Sequence, residues 1–149
     1  MRLYLDTSAL LKLYVDEEGS ALVRRATEGA RFIATSVLAY VEARAALVRR
    51  RHQGDLSPID YRRRVRDFEA DWTRFLTVEV SDSILRESAR LTEVHRLRAY
   101  DAIHLASASA VHGHVVEPFL FGCWEHDLEK RHDVKGSNCC VVKNRQNLE

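Results

Sequence analysis

Leu3-Tyr4-Leu5-Asp6-Thr7-Ser8-Ala9-Leu10 is the stretch on which the reading of the fold turns. An apolar run suited to a buried strand stops at a carboxylate, and beyond it Ala9, Leu10, Leu13 and Tyr14 recur at helical spacing. The pattern predicts strand, tight turn and helix. Asp6 then stands at the strand's carboxyl end, where open α/β sheets keep their ligand crevice. Ser8 or Thr7 can cap the helix and offers a hydroxyl beside the acid. An aspartate here also initiates a helix whatever its function, so the stretch alone leaves both roles open.

Working outward, the rest of the chain repeats the alternation. Ser20 to Glu28 reads as a helix with Leu22 and Val23 inward, and Phe32-Ile33-Ala34 as a short strand bounded by Thr35-Ser36, which can cap the next helix. Val37 to Arg51 is helical, with Leu38, Val41, Ala45 and Val48 as the expected apolar stripe. Gly54-Asp55-Leu56-Ser57-Pro58 is a turn that starts a helix reaching about Trp72, with Ser57 as N-cap. Phe75 to Val80 has strand character, and Ser81 or Asp82 caps a helix to His95 with Ile84, Leu85, Ala89 and Leu91 inward. A small-residue helix around Leu97 to Ala108 and an apolar strand at Pro118 to Gly122 complete the series. Strands alternating with helices predict an α/β fold with a central parallel sheet covered on both faces.

At 149 residues and 46% hydrophobic content, the chain suits one domain. No apolar run approaches the length of a membrane span, and no signal-peptide pattern precedes the first strand, so a cytoplasmic protein without a membrane partner is expected. Cys123, Cys139 and Cys140 are odd in number and lack paired metal-ligand spacing, which predicts reduced thiols. His112 and His114 flank a glycine in an expected loop and read as surface histidines. A formal charge of +1 argues against a generally basic nucleic-acid binder. Basic residues are nonetheless concentrated: Arg49, Arg50, Arg51, Arg62, Arg63, Arg64 and Arg66 make an arginine-rich helical hairpin, readable as a phosphate-binding surface or as solvated helix faces.

Several acids stand out by position. Glu42 lies one helical turn from Leu38 and from Ala45 and Ala46, at the margin of an apolar stripe where glutamate is ordinarily solvated. Asp101 opens the helix of small residues and shares a face with His104, Leu105 and Ala108. The helix dipole stabilises such an acid whatever its role. Glu125, His126 and Asp127 follow the last apolar strand. Taken together, two carboxylates about 4 Å apart repel by roughly 4 kcal/mol at an effective dielectric near 20, so a cluster of them calls for protons or a cation.

Asp6 in Leu-Asp-Thr-Ser-Ala-Leu, Glu42 in Tyr-Val-Glu-Ala-Arg, Asp101 in Tyr-Asp-Ala-Ile-His-Leu-Ala and the acidic turn after Phe119-Leu120-Phe121 together resemble the dispersed acidic motifs of PIN-domain ribonucleases, most of all the VapC-type toxins of toxin-antitoxin pairs. The resemblance runs from about Met1 to His132 and implies a PIN-like three-layer nuclease domain over 1–132. The C-terminal segment 133–149 does not resemble the family; its one apolar run, Cys139-Cys140-Val141-Val142, reads as an edge strand with a frayed end beyond it. It implies a metal-dependent endoribonuclease in which Asp6, Glu42, Asp101 and Glu125 are catalytic and hold Mg2+ or Mn2+. Ser8, Thr7 and His104 would stand behind them. Arg49, Arg50, Arg51, Arg62, Arg63 and Arg64 would contact RNA or antitoxin. RNA substrate, a cognate antitoxin and a homodimer are the implied partners. The family commonly has Thr or Ser, one residue, then Asp at the fourth motif, where this chain has Cys123-Trp124-Glu125. The register selects Glu125 over Asp127, which would lie about 200° round a helix from it. Two other classes fit less of the pattern. A PIN-fold interaction module without catalysis is left open by Glu125, and a haloacid-dehalogenase-like phosphatase would need a second Asp where Ser8 stands.

Overall fold

The chain was analysed as a computed structural model that describes residues 1–113 and 119–123. Its elements are β1 (Arg2–Leu5), α1 (Thr7–Leu11), α2 (Ser20–Glu28), β2 (Ile33–Ser36), α3 (Leu38–His52), α4 (Pro58–Trp72), β3 (Leu76–Val78), α5 (Asp82–His95), α6 (Ala99–Gly113) and β4 (Phe119–Gly122). The four strands are all parallel, in the order β3-β2-β1-β4. The chain leaves β1 toward β2 on one side, and β4 later adds on the other. The carboxyl end of β1 is therefore the topological switch point, and Asp6 occupies it.

Period-two alternation along β1 divides the core. Leu3 and Leu5 pack with Ala9, Leu10, Tyr14, Val23, Ala39, Ala43 and Phe68 on one face, whereas Tyr4 packs with Ala34, Ala108, Phe121 and Cys123 on the other. Phe68 is fully buried, with the Tyr14 ring edge-on at 5.5 Å and Trp72 at 5.6 Å between ring centres. A third cluster, Ile84, Leu91, Ala102 and Ala106, joins α5 to α6. At the switch point, the Asp6 amide donates to the Gly122 carbonyl at 3.0 Å, and a Cβ on Gly122 would stand 2.9 Å from Cδ2 of the buried Leu5. Glycine there lets β4 lie close enough to fix the start of α1.

The N-termini of α1, α4 and α5 are capped by the side chains of Asp6, Ser57 and Ser81. The Ser57 hydroxyl accepts from the Asp60 amide at 3.1 Å, with Pro58 following as the first helical residue. Ser57→Ala should therefore lower stability by about 1 kcal/mol without altering the fold, as read from urea unfolding.

Inward faces needed more correction than element positions did. On α3 the buried set is Ala39, Ala43, Ala46 and Leu47, while Val41 is 67% exposed and Ala45 is exposed. The small side chains allow close approach of α3 to its neighbours, and this outweighs the larger apolar area of Val41. Leu22 and Leu85 are likewise exposed, and Ser88 takes the inward place expected of Ala89 on α5 by donating to the Ile84 carbonyl at 2.7 Å. Thr35 and Ser36 are strand residues: the Thr35 hydroxyl donates to the Leu5 carbonyl at 2.7 Å, and only Ser36 reaches the next helix, accepting from the Leu38 amide at 3.3 Å. The expected C-terminal segment at 133–149, with Cys139 and Cys140, lies outside the described residues, as does His114.

Candidate active site

Asp6 is the N-cap of α1, and one oxygen, Oδ1, accepts both the Ala9 amide at 2.8 Å and the Ser8 hydroxyl at 2.7 Å. The residue is only 8% exposed. Burial pushes its pKa up to about 6; the Ala9 and Ser8 hydrogen bonds oppose the rise, and the Asp101 charge adds to it. Asp6 therefore caps the helix, as the helix-initiating reading of the stretch expects, and it is also a buried acid that feels the Asp101 charge.

Asp101 lies in the first turn of α6, half-buried. One turn on, His104 is buried between α6 and the sheet, with Nδ1 3.0 Å from the Tyr4 hydroxyl. Its Nε2 lies 3.0 Å from Glu42 Oε2 and 3.1 Å from Thr7 Oγ1. The Thr7 hydroxyl donates to the same Glu42 oxygen at 2.5 Å. Burial would raise the Glu42 pKa, but the hydrogen bonds from His104 and Thr7 outweigh it and hold the carboxyl below its usual value. Glu42 is therefore an ionised group drawn inward from the margin of α3, and not a freely solvated one.

The expected acids are thus carried by the end of β1, by α3 and by α6. Glu125 and Asp127 lie outside the described residues. Among the described residues, no three His, Cys, Asp or Glu side chains converge as a metal cage. The donor chemistry still fits a hard dication. Magnesium keeps several waters and takes one or two carboxylates, and a buried Asp6 whose ionised form is disfavoured by burial and, to a smaller extent, by the Asp101 charge is the electrostatic setting that a dication relieves.

The arginine hairpin is only partly available. Arg50 forms an ion pair with Glu17, Arg51 lies over the Tyr61 ring at 5.2 Å, Arg63 lies 3.9 Å from Asp60, and Arg66 lies 3.3 Å from Asp67. Arg64 is half-buried, whereas Arg49 and Arg62 are exposed. Arg49 is seven residues beyond Glu42 on α3, so it lies on the same face about 10 Å along the axis. A surface groove touching Arg24, Arg31, Arg74 and Phe75 opens at the start of β2 and β3, the other end of the sheet from Asp6, and is no part of this site.

Two features escape sequence reading. Tyr4 looks like an ordinary strand residue, yet its hydroxyl meets His104 across 100 positions of sequence. Lys12 is buried, donating to Glu17 Oε1 at 2.8 Å and to the Glu18 carbonyl at 2.7 Å. A lysine within Leu-Leu-Lys-Leu-Tyr followed by Asp-Glu-Glu was the available signal for that pair.

A PIN domain family model matches residues 3–116, a span that ends before Glu125. Ribonuclease VapC45 and Ribonuclease VapC49, both of Mycobacterium tuberculosis, are each 38% identical to the chain over 108 residues, covering 72% of it and 75% of their own length. Among solved structures, a toxin-antitoxin complex from Klebsiella pneumoniae aligns with a TM-score of 0.55 at 23% identity, over 75% of this chain and 81% of that one. Mycobacterium tuberculosis VapC20, a sarcin-ricin loop cleaving toxin, aligns with a TM-score of 0.58 at 15% identity, over 74% and 83%. The structural likenesses carry the fold.

Proposed function

The chain belongs to the PIN-domain family, and on that premise we propose that it is a divalent-metal-dependent endoribonuclease, the toxin of a toxin-antitoxin pair. The names of its mycobacterial relatives support RNA cleavage, and the Klebsiella neighbour supports an antitoxin partner. The observation that carries the chemical reading is the buried Asp6 at the switch point, its pKa raised to about 6 by burial with the Asp101 charge adding to the rise. The phosphatase alternative falls with the family assignment.

In this reading Asp6 and Asp101 hold the cation, Glu42 completes the set through its Oε1, and Glu125 is the proposed fourth acid. When bound, magnesium or manganese supplies Lewis-acid chemistry at a phosphodiester and lowers the pKa of a coordinated water. The chain's own residues do the rest. Ser8 fixes the Asp6 Oδ1, so that Oδ2 would be the oxygen offered to the cation, and Thr7 and His104 hold Glu42 ionised. The test is cleavage of RNA across a magnesium titration, with and without an added antitoxin: metal-dependent cutting suppressed by the antitoxin is expected, and cutting at the full rate in EDTA would reject the reading.

RNA contact falls to the exposed Arg49 and Arg62 rather than to Arg50. Each phosphate contact to single-stranded RNA contributes about 0.7 to the slope of log affinity against log salt. The double change Arg49→Gln and Arg62→Gln should flatten that slope by about 1 to 1.5, measured by fluorescence anisotropy in calcium; an unchanged slope assigns these arginines to the antitoxin or to solvent. A homodimer is also proposed from the family, and sedimentation at micromolar concentration should show it.

A further inference from the structure

We infer that His104 is a positioning residue for Glu42, locking the carboxylate through Nε2–H while the Tyr4 hydroxyl fixes the imidazole tautomer; the inference deepens the ribonuclease reading and rests on it for its catalytic consequence.

A buried imidazole must satisfy both ring nitrogens, and His104, 3% exposed, does so with two protein groups of opposite character. The Glu42 carboxylate oxygen Oε2, 3.0 Å from Nε2, can only accept, so Nε2 is the ring nitrogen that donates. In that Nε2–H tautomer Nδ1 accepts from the Tyr4 hydroxyl 3.0 Å away, and the ring proton is on Nε2. That proton faces Glu42 Oε2 at 3.0 Å, the oxygen that also accepts from Thr7. The order of donation is thus determined along the chain of groups: Tyr4 to His104, His104 to Glu42, Thr7 to Glu42.

The anchor is rigid. Tyr4 lies in the central strand, stacked on Phe121 with ring centres 5.6 Å apart and set edge-on to His104 at 6.0 Å. Glu42, by contrast, has a long side chain on a helix margin and would sample several rotamers if it were free. The imidazole ties it to β1 and α6, 62 positions away from His104 in sequence, and leaves Oε1 as the remaining oxygen for a cation or its bound water. Partners of this kind behind metal-binding carboxylates typically change metal affinity or activity by 10- to 100-fold when removed. A histidine that merely filled core volume would instead affect stability alone.

The test combines three variants with one spectrum. His104→Gln retains a donor near the Nε2 position and should leave the magnesium midpoint of a thermal-shift titration, and kcat/KM, within about 3-fold of the wild type. His104→Leu should raise the midpoint and lower kcat/KM by about 10- to 100-fold. The imidazole nitrogen spectrum of the metal-free wild type should show the Nε2–H tautomer, with its proton signal shifted or lost in Glu42→Ala. Equal damage in His104→Gln and His104→Leu, wild-type metal response in His104→Leu, or an Nδ1–H tautomer would each overturn the proposal. The spectrum needs neither metal nor RNA. If the wild type fails to cut RNA, the ribonuclease reading fails while the spectrum still decides the link between His104 and Glu42.

Discussion

Asp6→Asn is expected to give a protein that is more stable than the wild type at pH 7.5 and has lost metal-dependent RNA cleavage. The folded Asp6 has a pKa of about 6 against 3.8 for the free side chain. A raised folded-state pKa means that the favourable contribution is fully present below pH 3.8, where both states are protonated, and is lost as pH rises through 6. At pH 7.5 the ionised carboxylate therefore costs at most about 3 kcal/mol, which an uncharged amide avoids. Asparagine is as good an N-cap as aspartate, and its Oδ1 can still accept from Ala9 and Ser8. Urea unfolding in EDTA should show the gain at pH 7.5 and its disappearance at pH 4. Cleavage should fall by about 100-fold or more, because the amide cannot hold the cation as the carboxylate does. Unchanged stability at pH 7.5 would mean that Asp6 is not under electrostatic strain.

Glu17→Ala should be among the most destabilising substitutions outside the acid cluster. Lys12 is 3% exposed, and Glu17 takes its Nζ on one carboxylate oxygen and Arg50 on the other. Removing Glu17 takes the carboxylate from the buried Lys12 ammonium and leaves it the Glu18 carbonyl at 2.7 Å, at a cost of about 3 kcal/mol. The sign with pH is opposite to that of Asp6. Burial favours the neutral Glu17, but Lys12 and Arg50 outweigh it and depress the pKa, so its contribution is present above the unfolded value of 4.5 and lost as pH falls through the depressed one. The double variant Lys12→Met with Glu17→Leu should recover most of the loss, since an apolar pair replaces an ionic one at little net cost. A loss below 1 kcal/mol for Glu17→Ala, or no recovery in the double variant, would show that Lys12 finds compensation elsewhere.

The order of elements was legible because strands and helices differ in period and α1, α4 and α5 carry their own caps. Ser57-Pro58 and Ser81 mark their helices within a residue of the observed starts, and β1 to α1 follows the break at Asp6. Inward faces were less legible. Hydrophobicity alone favours Val41 and Leu85, whereas helices approaching closely select Ala39, Ala43 and Ser88, and that preference is visible only once the neighbours are known. Asp6, Glu42 and Asp101 were singled out through their motif contexts, and Asp6 also through its place at a strand end. What the sequence could not convey is which polar groups meet. His104 to Glu42 and Tyr4 to His104 span 62 and 100 positions, and no local periodicity encodes a hydrogen bond of that range. For the same reason Arg50 looked like one more member of a basic surface until Glu17 was placed beside it.

The central claim is that Asp6 and Asp101, carried by the first strand and the sixth helix, act together on one divalent cation. Manganese binding followed by electron paramagnetic resonance on wild type, Asp6→Asn and Asp101→Asn, with RNA cleavage measured on the same preparations, tests it most directly. The account predicts that each substitution weakens manganese binding by at least about 10-fold and abolishes cleavage while the fold persists. Wild-type manganese affinity and wild-type cleavage in Asp101→Asn would contradict it.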